Sequence, residues 1–114
     1  MSSPTDNTIL ANTAGTIVLA DSPATVLLPT DQRGLQITIG PGDAVGGTAT
    51  VQLRPAGSTD FDPALKDQYG ATVTWTMSAG SMTYIVPQGR FSAAKITLSG
   101  TGAGKKVKYA FVGA

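Results

Sequence analysis

The chain has no cysteine, no histidine and no glutamate, and only 13% of its 114 residues are charged. Lack of cysteine removes disulfides and thiolate chemistry; lack of histidine removes most zinc sites and histidine-based acid or base catalysis, including every catalytic triad. All seven acids are Asp, which hydrogen-bonds its own backbone in turns where Glu would favour helices, so the acidic groups are expected in loops. A net charge of +1 gives no global field to attract nucleic acid. A surface poor in charge and rich in Ser, Thr, Gly and Ala suits packing against neighbours, or a plain Thr-rich β domain. No segment approaches membrane-spanning length. The start, MSSPTDNTILANTAG, lacks the basic region and apolar run of a signal peptide, so synthesis in a cytoplasm is expected.

What is present is alternation. In residues 71–86, ATVTWTMSAGSMTYIV, polar and apolar residues alternate through both halves, which reads as a β-hairpin. With Ala79 and Gly80 as its tip, Met77 would face Met82, Trp75 would face Tyr84 and Val73 would face Val86, with threonines on the other side. Such cross-strand pairs contribute about 0.2–1 kcal/mol each, and a one-residue slip would turn Trp75 to solvent. The hairpin needs a second layer to cover it.

The chain divides into a polar arm, 1–12, and a domain, 13–114. In the arm Ile9 and Leu10 are the sizeable apolar pair. Ile17 to Leu19 and Ala24 to Leu28 form two short continuous apolar runs, expected as strands buried on both faces if a partner covers one of them. Leu35, Ile37 and Ile39, then Ala49, Val51 and Leu53, then Ile96 and Leu98, and finally Val107, Tyr109 and Phe111 recur at period two. The loop 55–67, PAGSTDFDPALKD, is expected to bury Phe61 and Leu65. About eight short strands with turn signals every 8–12 residues or so predict an all-β antiparallel sandwich or jelly-roll-like barrel, long enough to bury about two thirds of its unfolded surface.

Several groupings could carry chemistry. Asp60, Asp62 and Asp67 could offer oxygens to calcium, but they lack an EF-hand ligand set and its closing Glu; turn formation is the better reading, and no metal or cofactor is expected. SGTGAGKK at 99–106 fails as a phosphate loop, because Lys106 stands where a hydroxyl residue belongs and a strand follows; it reads as a hairpin turn. Lys105, Lys106 and Lys108 with Arg90 could form a basic patch near one end, or guard a sheet edge. Nucleic-acid binding would want aromatics beside those charges, and Tyr109 and Phe111 alternate inward. Trp75, Tyr84 and Tyr69 could stack a sugar, although a core place for Trp75 opposite Tyr84 fits the uniformly apolar face better. Paired Asp residues could support a hydrolase, with nothing specific in favour.

The succession VQLRPAGSTDFDPAL, then ATVTWTMSAGSMTYIVPQGRFSAAKITLSG, then KVKYAFVGA resembles small β-sandwich structural proteins of tailed bacteriophage virions: capsid decoration or cement proteins, and fibre or spike modules. The likeness covers about residues 34–114. It implies a non-enzymatic subunit on the capsid exterior that binds the major capsid protein lattice and stabilises it, self-associating as a dimer or trimer without nucleic acid or membrane. A receptor- or glycan-binding fibre module, or a tail or neck subunit, are the alternatives. Contacts are expected from the arm (Ser2, Pro4, Asp6, Ile9, Leu10), the 55–67 loop (Asp60, Phe61, Asp62) and the tip (Ala79, Gly80), because termini and loops reach outward.

Overall fold

The computed structural model describes residues 13–29 and 32–113. The arm, with the expected contacts at Ser2, Pro4, Asp6, Ile9 and Leu10, lies outside the described residues.

Among those described, the chain forms eight strands: β1 (Thr13–Val18), β2 (Ala24–Leu27), β3 (Leu35–Pro41), β4 (Thr48–Pro55), β5 (Trp75–Thr76), β6 (Met82–Val86), β7 (Phe91–Ser99) and β8 (Lys106–Gly113). Single 3-10 turns at Leu19–Asp21 and Met77–Ala79 join β1 to β2 and β5 to β6. One sheet has the order β1-β8-β3-β6 and the other β2-β7-β4-β5. All pairings are antiparallel. First pairs with last, second with seventh, third with sixth and fourth with fifth. This is a long hairpin rolled up on itself, the jelly-roll arrangement. No helix among the described residues is long and apolar enough to cross a membrane.

The period-two positions fill the core. Leu35, Ile37, Ile39, Val107 and Phe111 from one sheet meet Ala49, Val51, Leu53, Ile96 and Leu98 from the other, and all are buried. Register follows from this pattern, since a one-residue slip in β3 would send three isoleucine or leucine side chains into water. At the β3–β4 connection Gly47 has φ +87°, and a Cβ there would lie 2.5 Å from the Thr101 nitrogen. Only glycine lets this connection pass so close to the one between β7 and β8.

Three expectations are corrected by this topology. Residues 71–86 are not a hairpin: β5 pairs with β4 (Ala49 opposite Trp75), whereas β6 pairs with β3 (Ile37 opposite Tyr84). Alternation fixes which face a side chain takes, not which strand it pairs with, and the turn at 77–79 carries the chain from one sheet to the other. Trp75 and Tyr84 still meet, but across the sandwich, edge-on at 6.4 Å and 81°. The glycine-rich run 100–104 is likewise a crossover, because β7 and β8 belong to different sheets. Within the single chain β1 and β2 alternate and Leu27 is 71% exposed, so the domain itself buries one face of each. Phe61 is not a core anchor; it lies half-buried beneath two cations, as described next.

Candidate interaction surfaces

The 55–67 loop is held to the outer side of β4 by backbone. Asp62 N–H donates to Leu53 O at 2.8 Å and Leu65 N–H to Val51 O at 2.9 Å, so the loop takes the hydrogen-bonding edge that the two-residue β5 leaves uncovered. Leu65 packs partly buried against the core. Phe61 faces outward under the Arg54 guanidinium, 5.5 Å from ring centroid to carbon, and the Lys95 ammonium, 4.5 Å away. Arg54 and Lys95 come from neighbouring strands, where Gln52 faces Lys95 and Arg54 faces Ala93. Each cation–π contact at such a site is worth about 0.5–1 kcal/mol. Asp60 and Asp62 flank the ring and are exposed. Ala79 is exposed and Gly80 half-exposed, but they sit by the start of β4, whereas Asp62 sits by Leu53. The run from Thr48 to Leu53 separates them by about 17 Å of strand, so these candidate contacts form two places, not one.

The next segment builds a small projecting turn. Asp67 Oδ1 accepts from the backbone N–H of Tyr69 (2.9 Å) and of Ala71 (3.0 Å), and Asp67 N–H donates to Ala71 O (2.8 Å). The carboxylate therefore does the turn-forming work expected of Asp. Tyr69 at the turn is 85% exposed, while Trp75 is fully buried. The indole N–H of Trp75 donates to Met82 O at 3.0 Å, and the Tyr84 hydroxyl donates to Lys66 O at 3.3 Å. Of the three aromatics considered for stacking a sugar, Tyr69 alone stands clear of the domain. Among the described residues no cluster of three or more Asp side chains is placed to hold a metal.

The outer face of the β1-β8-β3-β6 sheet is lined by small side chains. Ala14, Ala110, Thr38 and Thr83 lie in one cross-strand row and Thr16, Lys108 and Gly40 in the next. The Thr38 and Thr83 hydroxyls are bonded at 2.7 Å. A shallow depression of about 490 Å³ crosses this face. Ile85, on the same face, is 56% exposed.

The lysines do not guard an edge. Arg54 is on β4, Lys95 on β7, and Lys106 and Lys108 on β8, all inner strands. The four edge strands, TAGTIV, ATVL, WT and MTYIV, carry no charge. Arg90 immediately precedes β7 and Lys105 follows its far end, about 30 Å away along nine residues, so the expected basic patch is split between the two ends of the sandwich. Sequence reasoning could have found the uncharged edges only with the strand order in hand.

No family model and no curated protein matches the chain. Among solved structures, one of Bacillus endospore appendages, described as a novel family of disulfide-linked pili, is similar at 16% identity and a TM-score of 0.47, covering 89% of this chain and 80% of that one. The capsular polysaccharide assembling protein CapF from Staphylococcus aureus is similar at 9% identity and a TM-score of 0.42, covering 90% of this chain and 23% of that one. RmlC from Streptococcus suis, solved with dTDP-D-xylose, is similar at 14% identity and a TM-score of 0.38, covering 90% of this chain and 43% of that one. At these TM-scores none of the three bears on what this chain binds or does.

Proposed function

We propose that this chain is a non-enzymatic structural protein of a phage virion, a capsid decoration protein that binds the outer surface of the major capsid protein lattice and stabilises it. The observation that carries the reading is the distribution of charge. Soluble β domains usually protect their edges with charged side chains, above all lysine; here, among the described residues, every charge on the eight strands is on an inner strand and the four edge strands carry none. Edges of that kind suit a subunit that packs among copies and neighbours. Many copies on a repeating lattice need only a modest interface each, because avidity multiplies weak contacts.

Co-sedimentation with expanded and mature capsid shells tests the proposal. Saturable binding at a fixed ratio to the capsid subunit is the expected result, and a chain that stays in the supernatant at all ratios rejects it.

A receptor- or glycan-binding fibre or spike module is favoured by one observation, the exposed Tyr69 on a turn held by Asp67. An aromatic ring presented in a fixed orientation is what a sugar face stacks upon. A glycan screen in which binding disappears with Tyr69→Ala would select this reading.

A further inference from the structure

The two sheets treat their outward cations differently. On the β2-β7-β4-β5 sheet, Arg54 and Lys95 lie over the Phe61 ring, and Arg54 Nε donates to Ser92 Oγ at 2.9 Å. The 55–67 loop thus covers that face with an aromatic ring, and Asp60 and Asp62 stand next to it in the chain. On the β1-β8-β3-β6 sheet the cations are Lys106 and Lys108. Lys106 opens its strand, and its carbonyl accepts from the N–H groups of Gly42, Asp43 and Ala44, so an acid stands in the adjacent turn. Lys108 is two residues further in, exposed, and lines the shallow depression. The four strands of this sheet, TAGTIV, KVKYAFVG, LQITIGP and MTYIV, contain no acid.

The depression exists because the side chains around Lys108 are small. Ala14, Gly40 and Ala110 line it, and at Gly40 a Cβ would run into the Ser81 side chain. The Thr38 and Thr83 hydroxyls are bonded to each other, which leaves Lys108 as the charged donor beside the hollow. We infer that this sheet face docks on the lattice, and that the depression receives a projecting Asp or Glu side chain of the capsid subunit, whose carboxylate pairs with the Lys108 ammonium. This rests on the decoration reading above and adds to it the face that binds and the chemistry of the partner.

Charge and area select this occupant over the others. A second copy meeting the same face across a two-fold axis would bring lysine against a surface without acids, which repels. Four strands about 4.8 Å apart and about six residues long present a face of the order of 400 Å². That is about half of the roughly 800 Å² per partner that a stable two-body interface buries. A contact of this size suits a subunit whose retention comes from many copies on a repeating surface. A sugar is disfavoured because it needs an open ring to stack on. The aromatic residue lining the depression, Tyr109, is partly buried, and its hydroxyl lies so close to β1 that a Cβ at Gly15 would come within 2.7 Å of it.

A carbodiimide, which joins an ammonium to a carboxylate with no spacer, tests the contact on the unaltered chain. It is applied to full-length protein bound on mature shells, and the joined peptides are identified by mass. The expected product is an amide between Lys108 and an Asp or Glu of the capsid subunit. Products through other lysines alone, or through Lys108 to a second copy of this chain, overturn the inference. Thr16 and Lys108 are both exposed, so their variants keep the core; unchanged urea midpoints check this. In co-sedimentation, Lys108→Glu, which reverses the charge, and Thr16→Trp, which fills the depression, should each raise the half-saturating concentration at least about tenfold. Arg90→Glu makes the same charge change near the opposite end of the sandwich and should stay within about twofold of the unaltered chain. Equal losses for Lys108→Glu and Arg90→Glu, or no loss with Lys108→Glu and Thr16→Trp while the unaltered chain binds, overturn this face and leave decoration standing. An unaltered chain that ignores shells rejects decoration, and this contact with it.

Discussion

The two sides of the sandwich are finished differently. On the side of β5 and β6, the Trp75 indole bonds Met82 O and meets the Tyr84 ring edge-on, the Tyr84 hydroxyl reaches Lys66 O, and the 62–73 segment continues the sheet beyond β4. On the side of β1 and β2, no hydrogen bond among the described residues reaches the two strands beyond their ladders with β8 and β7, and the Ser22 Oγ ties their connection to the sheet by accepting from Leu98 N–H at 2.7 Å. The first side is sealed by its own side chains. The second is shaped to be completed by something else, which is the physical content of the assembly proposal.

Removing the seal should have the largest effect. Trp75→Ala takes a fully buried side chain from the core and leaves Met82 O without its donor. Such truncations cost about 3–5 kcal/mol, much of the total stability of a domain this size, which is of the order of 5–15 kcal/mol. Urea unfolding should show the midpoint fall steeply with an unchanged slope. A loss below about 1 kcal/mol would mean that this side is not closed by Trp75.

Next is the link at the foot of the sandwich. Gln32 is buried, and its amide donates to Pro29 O at 2.6 Å and Phe91 O at 3.0 Å while accepting from Phe91 N–H at 3.0 Å. It fastens the β2–β3 connection to the start of β7. Gln32→Leu keeps the bulk and strands the Phe91 N–H and both carbonyls, at a cost of about 1–3 kcal/mol for each buried group left unpaired. Ser22→Ala, on the open side, strands one N–H and should cost about 1–2 kcal/mol by the same reasoning. If the open side gains its stability from a second copy, the Ser22→Ala loss should shrink as protein concentration rises, since association stabilises by mass action. The Trp75→Ala loss should not be rescued in that way.

The strands were legible because their core-facing residues alternate. Leu35, Ile37 and Ile39 and Ala49, Val51 and Leu53 are buried where the period places them. The turn role of Asp67 was legible too, because a short acidic side chain three residues before Gly70 in a polar stretch is a turn former. The partners of each strand were not legible. Trp75 and Tyr84 have the spacing of a hairpin pair and do meet, yet across two sheets, and nothing local separates a tight hairpin from a crossover of the same length. Phe61 was misplaced for a related reason: the cations that hold it outside, Arg54 and Lys95, are far apart in sequence and adjacent only once β4 and β7 pair. β1 extends to Thr13, beyond the apolar run at Ile17, because Ala14 and Gly15 have too little side chain to announce a strand.

The smallest stability effect should come from the residue that most sharpens the comparison. Tyr69 belongs to the sealed side, yet it is 85% exposed, and its turn is held by the Asp67 carboxylate and by backbone rather than by its ring. Tyr69→Ala should therefore change unfolding free energy by no more than about 0.5 kcal/mol, as surface substitutions do. Asp67→Ala, which removes the acceptor for two backbone N–H groups, should loosen the turn, seen as faster hydrogen exchange at the Tyr69 and Ala71 amides. If the open side is the one that assembles, Tyr69→Ala leaves dimer formation and shell binding unchanged. A variant of unchanged stability that fails to bind shells would put the lattice contact on the sealed side, and would make the exposed ring, not the bare edge, the feature that binds.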